Sequence, residues 1–253
     1  SDSAKYMCPK TLWNMRTILI REQLDALLFD RVTKELADAF KVNTDHQRID
    51  SVHIQSNMRR LGRIGIFASG IHKFLTNLKR HHADACNTIN SDLIERYLPE
   101  KAIQCFSMVK PSSAHKTLER VSTDLFDLVM QFKDHPVVCD MHSYKQLERI
   151  LKDQCNVQPS EDGPSVMVKT SREIPSDSLQ NPSDPDATYS GHKGQGYQVQ
   201  IMETYTPSVD IETRKTTLHL ITHVEVEPAH KSDAMIPAIV SVQETGLAPK
   251  EVL

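Results

Sequence analysis

Arg48-Ile49-Asp50-Ser51-Val52-His53-Ile54 decides how the rest of the chain is read. Ile49, Val52 and Ile54 suit a pleated backbone, and their partial alternation with polar positions predicts a strand. Asp50 lies inside it and is expected on a core strand with its carboxylate aimed at one face. Toward the start of the chain, Leu12, Met15, Leu19, Leu24, Leu28, Val32, Leu36 and Phe40 recur every three to five positions between charges. That spacing predicts two packed helices from Pro9 to Phe40. Trp13 and the methionines sit at helical spacing and are read as core.

In the other direction, Ile64, Phe67, Ile71, Phe74, Leu75 and Leu78, and later Leu118, Val121, Leu125, Leu128, Val129 and Phe132, carry helical spacing through a stretch from about 61 to 157. Pro99, Pro111 and Pro136 divide it into four or five helices. From about 156 to 183 the chain turns to Pro, Ser, Asn and Asp, the composition of a loop or linker, with a short strand at Val166-Met167-Val168. Tyr197–Tyr205 alternates cleanly and so does most of Leu218–Val226, which predicts two antiparallel strands joined by a polar loop. Ser232 can cap a helix running to about Thr245, with Gly246 as its stop, before a strand start at Pro249-Lys250-Glu251-Val252-Leu253.

Composition excludes more than it assigns. With 39% hydrophobic and 25% charged residues, and 13 Pro against 8 Gly, fibrous and wholly disordered classes drop out. The net charge of −3 gives no general basic excess, so a nucleic-acid partner must be met by a local patch. Cys8, Cys86, Cys105, Cys139 and Cys155 are odd in number and lack CxxC spacing; reduced thiols in the cytoplasm are the reading. No apolar run has the length of a membrane span and no signal peptide opens the chain. Both ends read as cuts within a longer protein.

Three features carry chemistry, each with a plainer alternative. From Ser51 to Ala83 there is no Asp or Glu, while Arg59, Arg60, Arg63, Lys73, Lys79 and Arg80 supply six positive charges. Such a block can meet phosphates, or be a solvated helix face whose acidic partners lie elsewhere. Asp50 has the strand rigidity that two-metal phosphoryl transfer asks of its carboxylates, or simply pairs with Arg48 or another basic neighbour. Ser183–Tyr197 holds Gly191, Gly194 and Gly196, which allow tight bending and expose His192 and Lys193 to a phosphate; the plain form is an Asx-Pro turn leading into a hairpin. His72, His81 and His82 lack ligand spacing and are read as surface residues.

Arg48-Ile49-Asp50-Ser51-Val52-His53-Ile54-Gln55-Ser56-Asn57-Met58, then Ser183-Asp184-Pro185-Asp186-Ala187, Gly191-His192-Lys193-Gly194 and the strand from Tyr197 resemble bacterial insertion-sequence DDE transposases. Cys8-Pro9-Lys10-Thr11-Leu12-Trp13-Asn14 resembles the helical lead-in of the same family. The resemblance implies an α+β fold: an incomplete ribonuclease-H-like core of first strand, hairpin, helix and start of a fourth strand. It also implies a helical lead-in over 1–46 and a DDE domain over 47–253 with a helical insertion at about 61–157. Asp50 is then the first carboxylate of the catalytic set and a ligand for Mg²⁺ or Mn²⁺, with the second Asp expected just beyond Leu253. Asp184 and Asp186 match the motif before the hairpin and are expected to brace a turn.

The activity implied is metal-dependent DNA strand cleavage and strand transfer by the complete protein. One carboxylate does not hold two ions, so the metal is not expected to bind this piece firmly. DNA is the expected partner, through Arg59, Arg60, Arg63, Lys73, His192 and Lys193, and so is intact transposase, with which the chain would form a homo-oligomer. Two other readings stay open: a non-catalytic DNA-binding remnant that interferes with an intact transposase, and a helical interaction protein that binds no duplex DNA.

Overall fold

The computed structural model describes residues 7–58, 60–98, 109–159, 163–231 and 235–253, with the backbone alone at 235–237. In chain order the elements are α1 (Pro9–Arg21), α2 (Asp25–Phe40), β1 (His46–Gln55), α3 (Arg63–His81), α4 (Ala83–Cys86), α5 (Ser91–Tyr97), α6 (Ala114–Phe132), α7 (His142–Gln154), β2 (Cys155–Gln158), β3 (Ser165–Val168), β4 (Thr188–Ser190), β5 (Gly194–Thr204), α8 (Ile211–Thr216), β6 (Ile221–Pro228), α9 (Met235–Glu244) and β7 (Glu251–Val252). The protein is α+β with a mixed sheet. It divides into two compact bodies, one of 1–52, 199–227 and 232–253, the other of 53–198 and 228–231. No helix among the described residues is long and apolar enough to cross a membrane.

The first body is built on strands. Tyr205 N–H donates to His46 O and Thr204 N–H to Leu220 O, so β1, β5 and β6 form an antiparallel run. On the other edge β7 lies parallel to β1, with His46 opposite Glu251 and Gln47 opposite Val252. The parallel pairing demands a crossover, and α9 supplies it between β6 and β7. The strand order is therefore β7-β1-β5-β6. Ala37 of α2, Met202 of β5, and Ala238 and Val242 of α9 close over Ile49 and Val252 in a small core. Gln47 is fully buried there. Its amide donates to Thr44 O and Leu247 O and its carbonyl accepts from Thr222 Oγ1, which satisfies a polar group that would otherwise be costly to bury.

Pro9 at the first position starts α1, where its missing N–H costs nothing. Lys41 ends α2 in the left-handed region (φ 51°), and Val42 N–H returns to Ala37 O. The expectation of two packed helices fails for α1, which buries no residue. Trp13, read as core, is 64% exposed, and Met7, Met15, Met58 and Met167 are exposed as well; among the described methionines, Met202 is the one that the core takes in fully. Periodicity marks an apolar face but not what covers it.

The second body is mostly helical and matches the expected four or five helices with α3 to α7. Phe67, Ile71, Phe74 and Leu78 from α3, Val121, Leu125 and Phe132 from α6, and Tyr144, Leu147 and Ile150 from α7 form its core. Phe74 meets Phe132 edge-on at 5.7 Å, the geometry aromatic quadrupoles favour. Two features sharpen the expected 156–183 loop. It opens as an antiparallel hairpin in which Cys155 pairs with Val168 and Gln158 with Ser165, and Leu179 is buried in the main core. The proposed helix cap at Ser232 and the break at Pro99 lie outside the described residues, whereas Gly246 does stop α9, at φ +77°.

Candidate functional site

Asp50 sits on β1, between β7 and β5, in the first body. Along β1 exposure alternates: Arg48, Asp50 and Val52 face outward while Gln47, Ile49 and Ser51 turn toward the body. The Tyr205–His46 bond sets the register, so Arg48 stands opposite Glu203 and Asp50 opposite Ile201. The Arg48 guanidinium donates to Glu203 at 2.7 Å. Arg48 is thus occupied by another carboxylate, and pairing with it does not account for Asp50. The Asp50 carboxylate accepts one bond, from Ser51 N–H at 2.8 Å, and makes no ion pair among the described residues. Nor do those residues contain any group of three His, Cys, Asp or Glu side chains able to hold a metal ion. Asp50 alone does not make a metal centre.

The other expected site residues belong to the second body, where the two motif blocks meet. Ser56, just past β1, donates its hydroxyl to Asp184, and the Tyr197 phenol donates to the other oxygen of the same carboxylate. Burial first, then this bond, pushes the Tyr197 phenol well above its ordinary value. Asp184 therefore does brace a turn, as expected; Asp186 is exposed. The brace is held from behind. Asn181 caps the turn through Ser183 N–H, Lys73 Nζ and Gln146 donate to Pro182 O, and Arg149 donates to Pro185 O at 2.8 Å.

From this turn the chain enters a hairpin of β4 and β5, with Tyr189 opposite Gln195 and Ser190 opposite Gly194. Gly194 takes φ +95° at the bend, a conformation that costs other residues strain. At Gly196 a side chain is excluded outright, since a Cβ would stand 2.1 Å from Ile54 O. His192 and Lys193 at the tip are exposed. Arg60 lies over the Tyr189 ring, 5.5 Å from its centroid, which orients the guanidinium while leaving its N–H groups free to donate.

The acid-free basic block therefore divides. Lys73 is committed to Pro182 O, and burial lowers its pKa. Arg63 donates to the side chain and backbone of Gln154, and burial lowers its pKa too. Both stitch the second body together. Arg60, His192 and Lys193 remain open to solvent, and Arg59 lies outside the described residues. Sequence reading missed Tyr197 and Ser56 as partners of Asp184; their separations of 13 and 128 residues leave no local signal. Comparison with protein-family models, with curated proteins and with solved structures returns no match.

Proposed function

We propose that this chain belongs to a DNA transposase of the DDE type, its sheet being part of a ribonuclease-H-like core and its β4–β5 hairpin a phosphate-contacting surface. The observation that carries this reading is Asp50, exposed and without an ion pair among the described residues, on a strand with an antiparallel neighbour on one side and the parallel β7 on the other. The parallel register also supports it: with His46 beside Glu251 and Gln47 beside Val252, the second position after Leu253 would lie beside Asp50. A carboxylate there would give two strand-borne ligands side by side, the rigid arrangement that Mg²⁺- or Mn²⁺-assisted phosphodiester cleavage needs. The strand order β7-β1-β5-β6 with an α9 crossover fits the same core.

With Asp50 as the one ligand among the described residues, the activity this reading assigns to them is DNA binding, and cleavage requires further carboxylates. Two measurements test it. Binding of duplex DNA should weaken with salt, and replacing Arg60 and Lys193 with Ala should lower the logarithmic salt slope by about 2, at about 0.9 per phosphate contact. A chain given further carboxylates, one of them placed beside Asp50, should show Mg²⁺-dependent nicking that Asp50→Ala abolishes. Absence of DNA binding even at low salt would refute the reading and favour a helical interaction protein.

A further inference from the structure

A pocket of about 320 Å³ opens on the first body, and nothing in the reading above uses it. Arg48 enters it from β1, Tyr205 and Thr206 from the end of β5, Arg214 and Lys215 from α8, and His219 from the approach to β6. Three permanent cations thus converge on a small volume. Glu203 balances Arg48 at 2.7 Å and Glu212 meets Lys215 at 3.4 Å, whereas Arg214 makes no ion pair among the described residues. His219 Nε2 lies 3.2 Å from Thr206 Oγ1, which places two further polar groups at the wall. One side is the Tyr205 ring, held edge-on by His46 at 5.8 Å. A recess with a surplus guanidinium, a hydroxyl, an imidazole and a phenol suits a tetrahedral oxyanion, because guanidinium and hydroxyl donors match phosphate oxygens in geometry as well as in charge.

Its position narrows the source. Arg48 and Asp50 share one face of β1 and are two residues apart, about 7 Å at the usual strand rise, which is roughly the axial length of two nucleotides of one DNA strand. We propose that this pocket binds a phosphate group, and that the phosphate is that of a DNA backbone lying along the Asp50 face. The second half of that statement rests on the transposase reading; the first does not.

Pyrophosphate binding by titration calorimetry and duplex-DNA binding across a salt series separate the two, on the full chain with Arg214→Ala, Arg214→Glu and, as a control on α6, Lys116→Ala. The expected result is a DNA salt slope lower by about 1 in Arg214→Ala and by more in Arg214→Glu, no change in Lys116→Ala, and competition between pyrophosphate and DNA. Pyrophosphate binding that Arg214→Ala weakens at least fivefold, with no DNA binding by any variant, keeps the phosphate pocket and overturns the DNA reading. DNA binding that depends on Arg60 and Lys193 but not on Arg214, with pyrophosphate binding absent or equal in all variants, overturns the pocket and keeps the reading. Arg214 lies on an exposed six-residue helix, so the substitutions leave the fold intact.

Discussion

Gly196→Ala should be among the most damaging single-methyl changes this chain can receive. The added Cβ would lie 2.1 Å from Ile54 O and 3.0 Å from both Ile54 C and Gln55 Cα, where carbon and oxygen ordinarily stay about 3.3 Å apart or more. Every atom it meets is backbone, fixed by the Ser56 N–H bond to Gln195 O on one side and by the Thr188–Gly196 pairing on the other. Relief requires the two strands to part by about 1 Å. Overpacking of this kind costs about 1–3 kcal/mol, and loss of one or two ladder bonds adds roughly 1 kcal/mol each. A total of about 2–5 kcal/mol corresponds, at roughly 2–4 °C per kcal/mol for a chain of this size, to a melting point lower by about 4–20 °C. Gly70→Ala is the control. Its Cβ would also be crowded, at 2.5 Å, but by Ile150 Cδ1, the tip of a side chain that can rotate away. Alanine's gain in helix propensity, about 1 kcal/mol, offsets that adjustment, for a net cost of roughly 0–2 kcal/mol. Thermal and urea denaturation followed by circular dichroism measure both. A Gly196→Ala melt within about 2 °C of the parent, or a larger loss for Gly70→Ala, would refute the steric argument.

Asp124→Ala should cost about 3 kcal/mol in urea denaturation, because the carboxylate, 13% exposed, accepts from Arg96 at 2.6 Å and from the Tyr97 phenol at 2.7 Å. Asp153→Asn should act the other way at neutral pH. Burial raises the Asp153 pKa, only partly offset by Leu179 N–H and Arg149, so the group favours folding below its unfolded pKa and loses that contribution as pH rises through its folded value. The variant should therefore melt no lower than the parent at pH 7, and its relative advantage should shrink as pH falls below about 4; a pH series of melting curves checks this, and a variant less stable at pH 7 than at pH 3 relative to the parent would contradict it. Asp50→Asn should change stability by no more than about 0.5 kcal/mol, since the side chain is exposed and its bond to Ser51 N–H is local, which makes it a clean variant for the nicking assay.

What was legible in the sequence is what local periodicity encodes. β1 and β5 alternate because one face of each meets the body, and α3, α6 and α7 show helical spacing because each buries one stripe. What escaped depends on distance or on covering partners. Trp13 has core-like spacing on a helix that buries nothing. Cys155–Gln158 follows α7 without a Gly or Pro to announce a strand. The six residues of α8 were hidden in a polar loop, although Asp210, whose carboxylate accepts from Thr213 N–H at 3.0 Å, is the kind of residue that caps a helix. The basic block shows the limit most clearly: Arg63 and Lys73 on α3 turn to internal acceptors, while Arg60, which precedes that helix, stays open.

Aspartate is disfavoured in strands, and one that closes an ion pair there needs no further explanation. Arg48 was the natural candidate for that pair, and it is taken by Glu203 across β5. Asp50 thus bears the cost of its position without a cation in return among the described residues, on the same face of the strand as a pocket that carries positive charge in excess. An anion-attracting recess beside an unpaired carboxylate does little for stability, since the two together neither bury apolar surface nor close an ion pair. Under the proposed function a phosphate would occupy the recess and a divalent cation would meet the carboxylate, so loss of Asp50 is expected to leave folding intact and to act on binding instead.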